Sequence, residues 1–216
     1  MALADFTGPN RIDDWIADLH ARWPERHLAA KAVVDAIRRW AATTGDIQLR
    51  ILELGVGSGH LAEGVLAQLR ETGKSTVYVG VDVEPDLILF TATRLKDHGH
   101  AIDMHVADLN NSDWATPLGR VDIAFTLQSL HDLAGLPTLT KVYRQLFNLL
   151  RSGGLLVNAD FIVPFDNDDP HQPRRFPVEQ HRKLLEEVGF TEFTASAPIG
   201  KLACMSAIRG PVADSD

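Results

Sequence analysis

The sequence has almost no cysteine and no long apolar run, and both absences narrow the class of protein. Cys204 is the one cysteine in 216 residues, so no intramolecular disulfide can form, and we expect this side chain to be a small core residue. No apolar run approaches the roughly 20 residues that a membrane-spanning helix needs. No basic and apolar signal segment is visible near the N-terminus. We therefore expect a cytoplasmic protein without a membrane partner.

Basic residues are also scarce relative to acidic ones. The chain has 21 Lys and Arg against 29 Asp and Glu, which gives a formal net charge of −8. A protein that grips nucleic acid usually presents a basic surface to the phosphates. The tight basic pairs here are Arg38-Arg39 and Arg174-Arg175. Nucleic acid is therefore a poor candidate partner, although a local basic patch can exist on a protein whose net charge is negative.

Strand-like and helix-like segments alternate along most of the chain. Apolar residues at helical spacing first predict two N-terminal helices, which either pack on the sheet edge or cover a ligand. Runs such as STVYVGVD at 75–82 then alternate with amphipathic segments, which is typical of a doubly wound α/β fold. Two C-terminal strand-like runs follow each other too closely for a crossover helix, so they should pair antiparallel. We predict a helical segment over 1–44, one α/β domain over 45–209 and a flexible tail over 210–216.

A glycine-rich turn is the most informative feature of the sequence. The stretch ILELGVGSG at 51–59 reads as a strand, a tight turn and the start of a helix. Glycines at alternate positions allow positive φ and the close approach of a nucleotide-like ligand. Glu53 stands at the end of the strand, and a buried carboxylate there needs a partner to offset its desolvation. A ligand amine or hydroxyl could be that partner.

This turn resembles the first motif of class I S-adenosylmethionine-dependent methyltransferases, E/D-x-G-x-G-x-G. All its fixed positions are present, from Glu53 through Gly55 and Gly57 to Gly59. The rival nicotinamide or flavin fingerprint, GxGxxG, is not matched at its third glycine, where His60 stands. The resemblance covers roughly residues 45–209. It implies a Rossmann-like seven-stranded sheet with the last strand antiparallel, and S-adenosylmethionine as cofactor.

The resemblance also implies which residues hold the cofactor. Asp82, at the end of the second strand, would accept hydrogen bonds from both ribose hydroxyls, because a carboxylate suits a vicinal diol. Asp108, which closes the third strand, would accept from the adenine amine, with Leu109 beside the ring. The alternatives are that Asp82 caps a helix and that Asp108 starts a turn. The predicted cofactor-binding residues are Glu53, Leu54, Gly55, Gly57, Gly59, Asp82, Val83, Asp108, Leu109 and Leu127.

The chemistry of transfer is expected where the fourth strand ends. His131 follows that strand, and related small-molecule enzymes carry a similar Leu-His there, so it is the candidate general base for a hydroxyl acceptor. The alternative is that His131 only caps or packs. Candidate acceptor-site residues are Trp15, Trp23, Asp160 and Phe165.

Two further expectations concern metal and partners. Catechol-type enzymes bind Mg²⁺ through three ligand positions, of which only Asp160 is kept here, so we expect no metal, although the acidic loop at 166–171 holds hard oxygen ligands. Few residues cover the predicted acceptor site, which favours a small-molecule acceptor or a pocket completed by a second subunit in a homodimer. Rival functions are methylation of RNA or protein, and cofactor binding without catalysis.

Overall fold

The structure, a computed structural model, describes residues 3–211, apart from the side chain of His98. The helices are α1 (Arg11–Arg22), α2 (Arg26–Ala41), α3 (His60–Glu71), α4 (Pro85–Leu95), α5 (Leu136–Leu149) and α6 (Val178–Val188). The strands are β1 (Gln48–Leu54), β2 (Ser75–Asp82), β3 (Ala101–Val106), β4 (Val121–Leu127), β5 (Leu150–Phe161), β6 (Phe190–Ala195) and β7 (Leu202–Arg209). Short 3-10 turns lie at Leu3–Asp5, Lys96–His98 and Leu130–Asp132.

The strands form one sheet in the order β3-β2-β1-β4-β5-β7-β6. Neighbouring strands from β3 to β5 are parallel, whereas β7 runs antiparallel to both β5 and β6. The order reverses between β1 and β4, and the carboxyl ends at such a switch point are where open α/β sheets bind ligands. The doubly wound seven-stranded sheet and its antiparallel last strand are therefore confirmed.

Helices cover both faces of the sheet and bury a core on each. Apolar residues of α2, α3 and α4 pack on one face, where Val33, Val65 and Leu95 are fully buried. Residues of α5 and α6 pack on the other, and they include Leu146 and Leu185. Central strand β4 is buried along its whole length, as a strand covered on both faces should be.

The two N-terminal helices predicted from apolar spacing are present as α1 and α2. α2 buries one face against the sheet, but α1 has no buried residue along its length. α1 therefore lies on the surface of the molecule. The predicted tail falls mostly on 212–216, outside the described residues, and among the described residues no helix is long and apolar enough to cross a bilayer.

The last glycine of the motif is needed for packing between two helices. Gly59 precedes α3 with φ +76°, and a Cβ placed on it would lie 2.9 Å from Cγ2 of Thr91 and 3.3 Å from Cδ of Arg94. Both contacts belong to α4. Gly59 thus lets α4 approach the start of α3, as well as allowing the left-handed turn.

We expect Gly59→Ala to lower the free energy of unfolding by about 2–4 kcal/mol, since the left-handed backbone and the crowded Cβ both cost energy. Gly73→Ala is the matched control, because Gly73 has φ +77° with nothing within 4 Å of the added Cβ. It should cost only about 1–2 kcal/mol. Urea unfolding measures both variants, and equal losses would show that crowding at Gly59 contributes nothing.

Candidate functional site

A cavity of about 270 Å³ lies along the carboxyl ends of β1 to β4. Most predicted cofactor residues line it, whereas Glu53, Leu54 and Gly59 do not. Leu54 is buried in the core on the α5 side of the sheet. The lining residues that the sequence analysis named are Trp15, Gly55, Gly57, Asp82, Val83, Asp108, Leu109 and Leu127.

Asp82 joins the two loops that form the middle of the cavity. Its Oδ2 accepts from the backbone N–H of Gly57 at 3.0 Å, and its Oδ1 accepts from that of Glu84 at 3.0 Å. Burial raises the pKa of Asp82, and these backbone donors oppose the shift. Each carboxylate oxygen can accept more than one hydrogen bond, so these bonds leave capacity for a ligand diol.

The first two glycines of the motif have different surroundings. A Cβ on Gly55 would fall 2.1 Å from Oγ of Ser129, so Gly55 makes room for the segment after β4. Gly57 has φ +52°, and its nearest side-chain neighbour would be Trp15 at 3.5 Å. Gly57 is therefore the glycine of the motif that leaves open backbone between the sheet and α1.

Glu53 has a partner inside the protein. Its Oε2 accepts from the hydroxyl of Tyr78 at 2.6 Å, and both side chains are buried. Burial raises the pKa of Glu53 from 4.5 to about 8, although Tyr78 and Arg26 act against the shift. The need for a partner that the sequence analysis inferred is met by Tyr78 on β2, and contact of Glu53 with the cofactor stays a prediction.

Asp108 lies in a turn and not in a strand. β3 ends at Val106, and Oδ1 of Asp108 accepts from the backbone N–H of Asn110 at 2.9 Å and from its side-chain amide at 2.8 Å. The turn geometry considered as an alternative is therefore present, and the same residue lines the cavity. Val83, an exposed apolar side chain, lines this end with Leu109.

His131 and Asp160 form a buried pair just beside the cavity. Nδ1 of His131 lies 2.8 Å from Oδ1 of Asp160, and the backbone N–H of His131 donates to Oδ2 at 3.1 Å. Asp160 is the second-last residue of β5. Its side chain is 2% exposed, and that of His131 is 12% exposed. Asp160 thereby fixes the ring orientation and leaves Nε2 as the nitrogen that can exchange a proton.

The two charges of this pair shift each other's pKa. Burial alone would lower the pKa of His131, but the charge and hydrogen bond of Asp160 raise it above its ordinary value. Burial alone would raise the pKa of Asp160, but His131 holds it below its ordinary value. The pair therefore favours a protonated histidine beside an ionised aspartate.

An aromatic cluster packs against His131. The ring of Phe161 packs edge-on to His131 with centroids 4.8 Å apart, and it contacts Trp23 at 4.7 Å. Phe165 stacks on Trp23 at 5.1 Å, and the guanidinium of Arg175 lies 3.8 Å from the Phe165 centroid. Three of the four acceptor-site candidates, Trp23, Asp160 and Phe165, thus meet around His131.

The fourth candidate, Trp15, lines the cofactor cavity and is not part of this aromatic cluster. α1 presents Trp15 and Leu19 to the cavity, and Arg11 forms an ion pair with Asp86 at the start of α4. α1 therefore covers the cavity while burying little of its own surface. Among residues 3–211, no group of three or more His, Cys, Asp or Glu side chains is arranged to hold a metal ion.

Residues 52–156 match the family model described as "Methyltransferase domain". This match covers 105 of the 216 residues, from β1 to β5, and so includes the glycine turn and the candidate cofactor residues. No curated protein matches the sequence significantly.

Solved structures share the fold at low sequence identity. The chain is similar to the CurJ carbon methyltransferase, with a TM-score of 0.71 and 18% identity over 84% of this chain and 54% of that one. It is similar to the CMeT domain of the citrinin polyketide synthase, with a TM-score of 0.78 and 16% identity over 94% of this chain and 57% of that one. A Clostridium acetobutylicum S-adenosylmethionine-dependent methyltransferase is similar with a TM-score of 0.70 and 13% identity over 92% of this chain and 99% of that one. The chain thus spans little more than half of the first two chains.

Two residues at the site, Arg26 and Tyr78, were not predicted from the sequence. Arg26 and Gln128 line the cavity and contact each other, with Nη1 of Arg26 donating to Oε1 of Gln128 at 3.1 Å. Tyr78 is the partner of Glu53. Arg26 lies outside the glycine motif and Tyr78 reads as an ordinary strand residue. The position of Gln128 directly after β4 did indicate that this residue would lie at the site.

We expect Glu53→Gln to change how stability depends on pH. The folded protein keeps the Glu53 proton up to about pH 8, whereas the unfolded chain loses it near pH 4.5. The free energy of unfolding of the unmodified protein should therefore fall, relative to Glu53→Gln, by up to about 1.4 kcal/mol per pH unit between these values. Urea unfolding at pH 5.5, 7 and 8.5 measures the difference.

Glu71→Gln is the matched control, because Glu71 is exposed at the end of α3. Its stability should parallel that of the unmodified protein across the pH range. A Glu53→Gln curve that also stays parallel would contradict a protonated, buried Glu53.

Proposed function

We propose that this chain is a class I S-adenosylmethionine-dependent methyltransferase that acts on a small molecule, at a hydroxyl oxygen or an acidic carbon, with His131 as general base. The observation that carries the proposal is the His131–Asp160 pair, whose Nδ1 and Oδ1 atoms are 2.8 Å apart beside the cavity. A histidine oriented by a buried carboxylate is the arrangement that general bases use.

The cavity has the features that S-adenosylmethionine requires. Asp82 offers carboxylate oxygens beside the open backbone of Gly57, and Val83 and Leu109 offer apolar surface next to Asp108. These residues would hold the ribose and the adenine. When bound, the cofactor supplies an electrophilic methyl group on a sulfonium. The residues of the chain align the acceptor with it and exclude water.

His131 would take the proton that the acceptor loses. Its Nδ1 is held by Asp160, so Nε2 is the basic atom, and it faces toward Asp132, whose Oδ1 is 3.5 Å away. An oxygen or an acidic carbon gains from such a base, whereas a neutral amine already carries a lone pair. The pair therefore favours oxygen or carbon over nitrogen. Similar structures include proteins described as carbon methyltransferases and as an O-methyltransferase family protein, which supports this choice.

The size of the site supports a small acceptor. Trp23, Phe161 and Phe165 pack together beside His131, next to a cavity of about 270 Å³, which favours a small acceptor over a polymer. The net charge of −8 also opposes RNA as acceptor. Methylation of RNA or protein remains the rival. The homodimer and the cytoplasmic location expected from the sequence stay predictions.

Asp82→Ala should weaken binding of S-adenosylhomocysteine by about 2–4 kcal/mol, because a charged acceptor for the ribose hydroxyls disappears. Asp82→Asn should weaken it less, since one acceptor oxygen remains. Calorimetric titration measures both, with Asp113→Ala, an exposed residue outside the cavity, as control. Unchanged affinity in both Asp82 variants would leave Asp82 with only its backbone contacts, and binding of NAD in place of the adenosyl ligand would refute the cofactor assignment.

His131→Ala should lower turnover by about 10²–10⁴-fold while S-adenosylhomocysteine affinity stays near that of the unmodified protein. Turnover is measured by mass spectrometry on small acceptors with an acidic O–H or C–H group, with RNA and protein acceptors in parallel. The rate should rise with pH, with a midpoint above the ordinary histidine value of 6.5, because His131 must lose its proton.

Asp160→Asn should move that midpoint to lower pH, since the carboxylate that raises the pKa of His131 is gone. Full activity of His131→Ala with a flat pH profile would remove the general-base role and leave the methyltransferase assignment in place. Turnover on RNA or protein alone would refute the small acceptor.

A further inference from the structure

Arg26 is the one cationic side chain among the described residues that line the cavity. It is the first residue of α2, so it lies outside the segment that matches the methyltransferase domain. Four acidic residues line the same cavity: Asp82, Glu84, Asp108 and Asp132. The cavity lining therefore carries one positive charge, on a wall that is otherwise neutral or acidic.

The charge of Arg26 is poorly balanced by its protein neighbours. Its hydrogen-bond partner is the neutral amide of Gln128, at 3.1 Å. The carboxyl group that acts on it is Glu53, but burial gives Glu53 a pKa of about 8, so that this group is mainly protonated at neutral pH. Burial also lowers the pKa of Arg26, which shows that the guanidinium loses solvation there. A partly buried cation with a neutral partner is stabilised by an anionic ligand.

Arg26 also lies at a defined end of the cavity. Asp108 follows β3, Asp82 ends β2, the glycine turn follows β1, and Gln128 follows β4. Three strand spacings, about 14 Å, therefore separate the Asp108 end from the Gln128 end that Arg26 contacts. The cavity thus has hydrogen-bond acceptors for a nucleoside at one end and a cation at the other.

We infer that Arg26 binds the α-carboxylate of the methionyl part of S-adenosylmethionine. This inference rests on the cofactor assignment. A planar guanidinium can form two parallel hydrogen bonds to a carboxylate, and Gln128 holds it from the side of the sheet. α2 thereby contributes a cofactor contact that the glycine motif does not contain.

Two ligands that differ in the amino-acid group test this role by calorimetry on the full chain. S-adenosylhomocysteine carries the carboxylate, whereas 5′-methylthioadenosine keeps the nucleoside and thioether without it. Arg26→Gln should weaken S-adenosylhomocysteine by about 10- to 100-fold and change 5′-methylthioadenosine by less than about threefold. Arg26→Lys, which keeps the charge without the fork, should fall between. Arg22→Ala is the control, because Arg22 pairs with Asp18 on the surface of α1.

The second ligand separates binding from folding, since retained 5′-methylthioadenosine binding shows that the variant is intact. If Arg26→Gln weakens both ligands equally, or neither, Arg26 is a structural residue and the inference is wrong. If Arg26→Gln does not fold, the same comparison is made with Arg26→Lys. If the unmodified protein binds neither ligand, the cofactor assignment itself fails, which is a different result.

Discussion

The cavity depends on one interaction, a clamp in which the Asp82 carboxylate accepts a hydrogen bond from the backbone N–H of Gly57. A buried carboxylate is costly without donors, and the two backbone N–H groups of Gly57 and Glu84 supply them at 3.0 Å each. This clamp joins the turn after β1 to the turn after β2. Because both strands are parallel neighbours, the joined turns form one continuous wall at the carboxyl edge, and the cavity is the space above it.

Gln128 connects this wall to the site of chemistry. It takes a positive φ of 54°, an uncommon conformation for this residue type, and its N–H donates to the carbonyl of Ala159 on β5 at 2.8 Å. Its side chain meets Arg26, and the chain then turns through Ser129 to His131. Strained backbone of this kind persists where the surrounding structure holds it in place. One short segment therefore positions a cofactor-cavity residue and the candidate base together.

Three buried acids at the same sheet edge show how surroundings divide their roles. Glu53 meets a neutral hydroxyl and keeps its proton, whereas Asp160 meets a histidine and stays ionised. Asp82 meets backbone amides and borders the cavity. All three side chains are carboxylic acids, and residue type alone does not distinguish their roles. Their neighbours decide which acid is a structural group, which orients a base and which can accept from a ligand.

Local patterns along the chain were enough to predict the fold class and the region of the site, because strand and helix periods and glycine turns depend on neighbouring residues. The alternation of elements predicted the parallel sheet, and the spacing of Glu53, Gly57 and Asp82 predicted a cofactor edge. The folded packing shows that Gly55 and Gly59 make room for Ser129 and Thr91, and that Tyr78 is the partner of Glu53. It also brought Arg26 to the cavity and Asp160 to His131. These contacts join residues far apart in the chain, and they follow from strand order and helix packing, which no local pattern encodes.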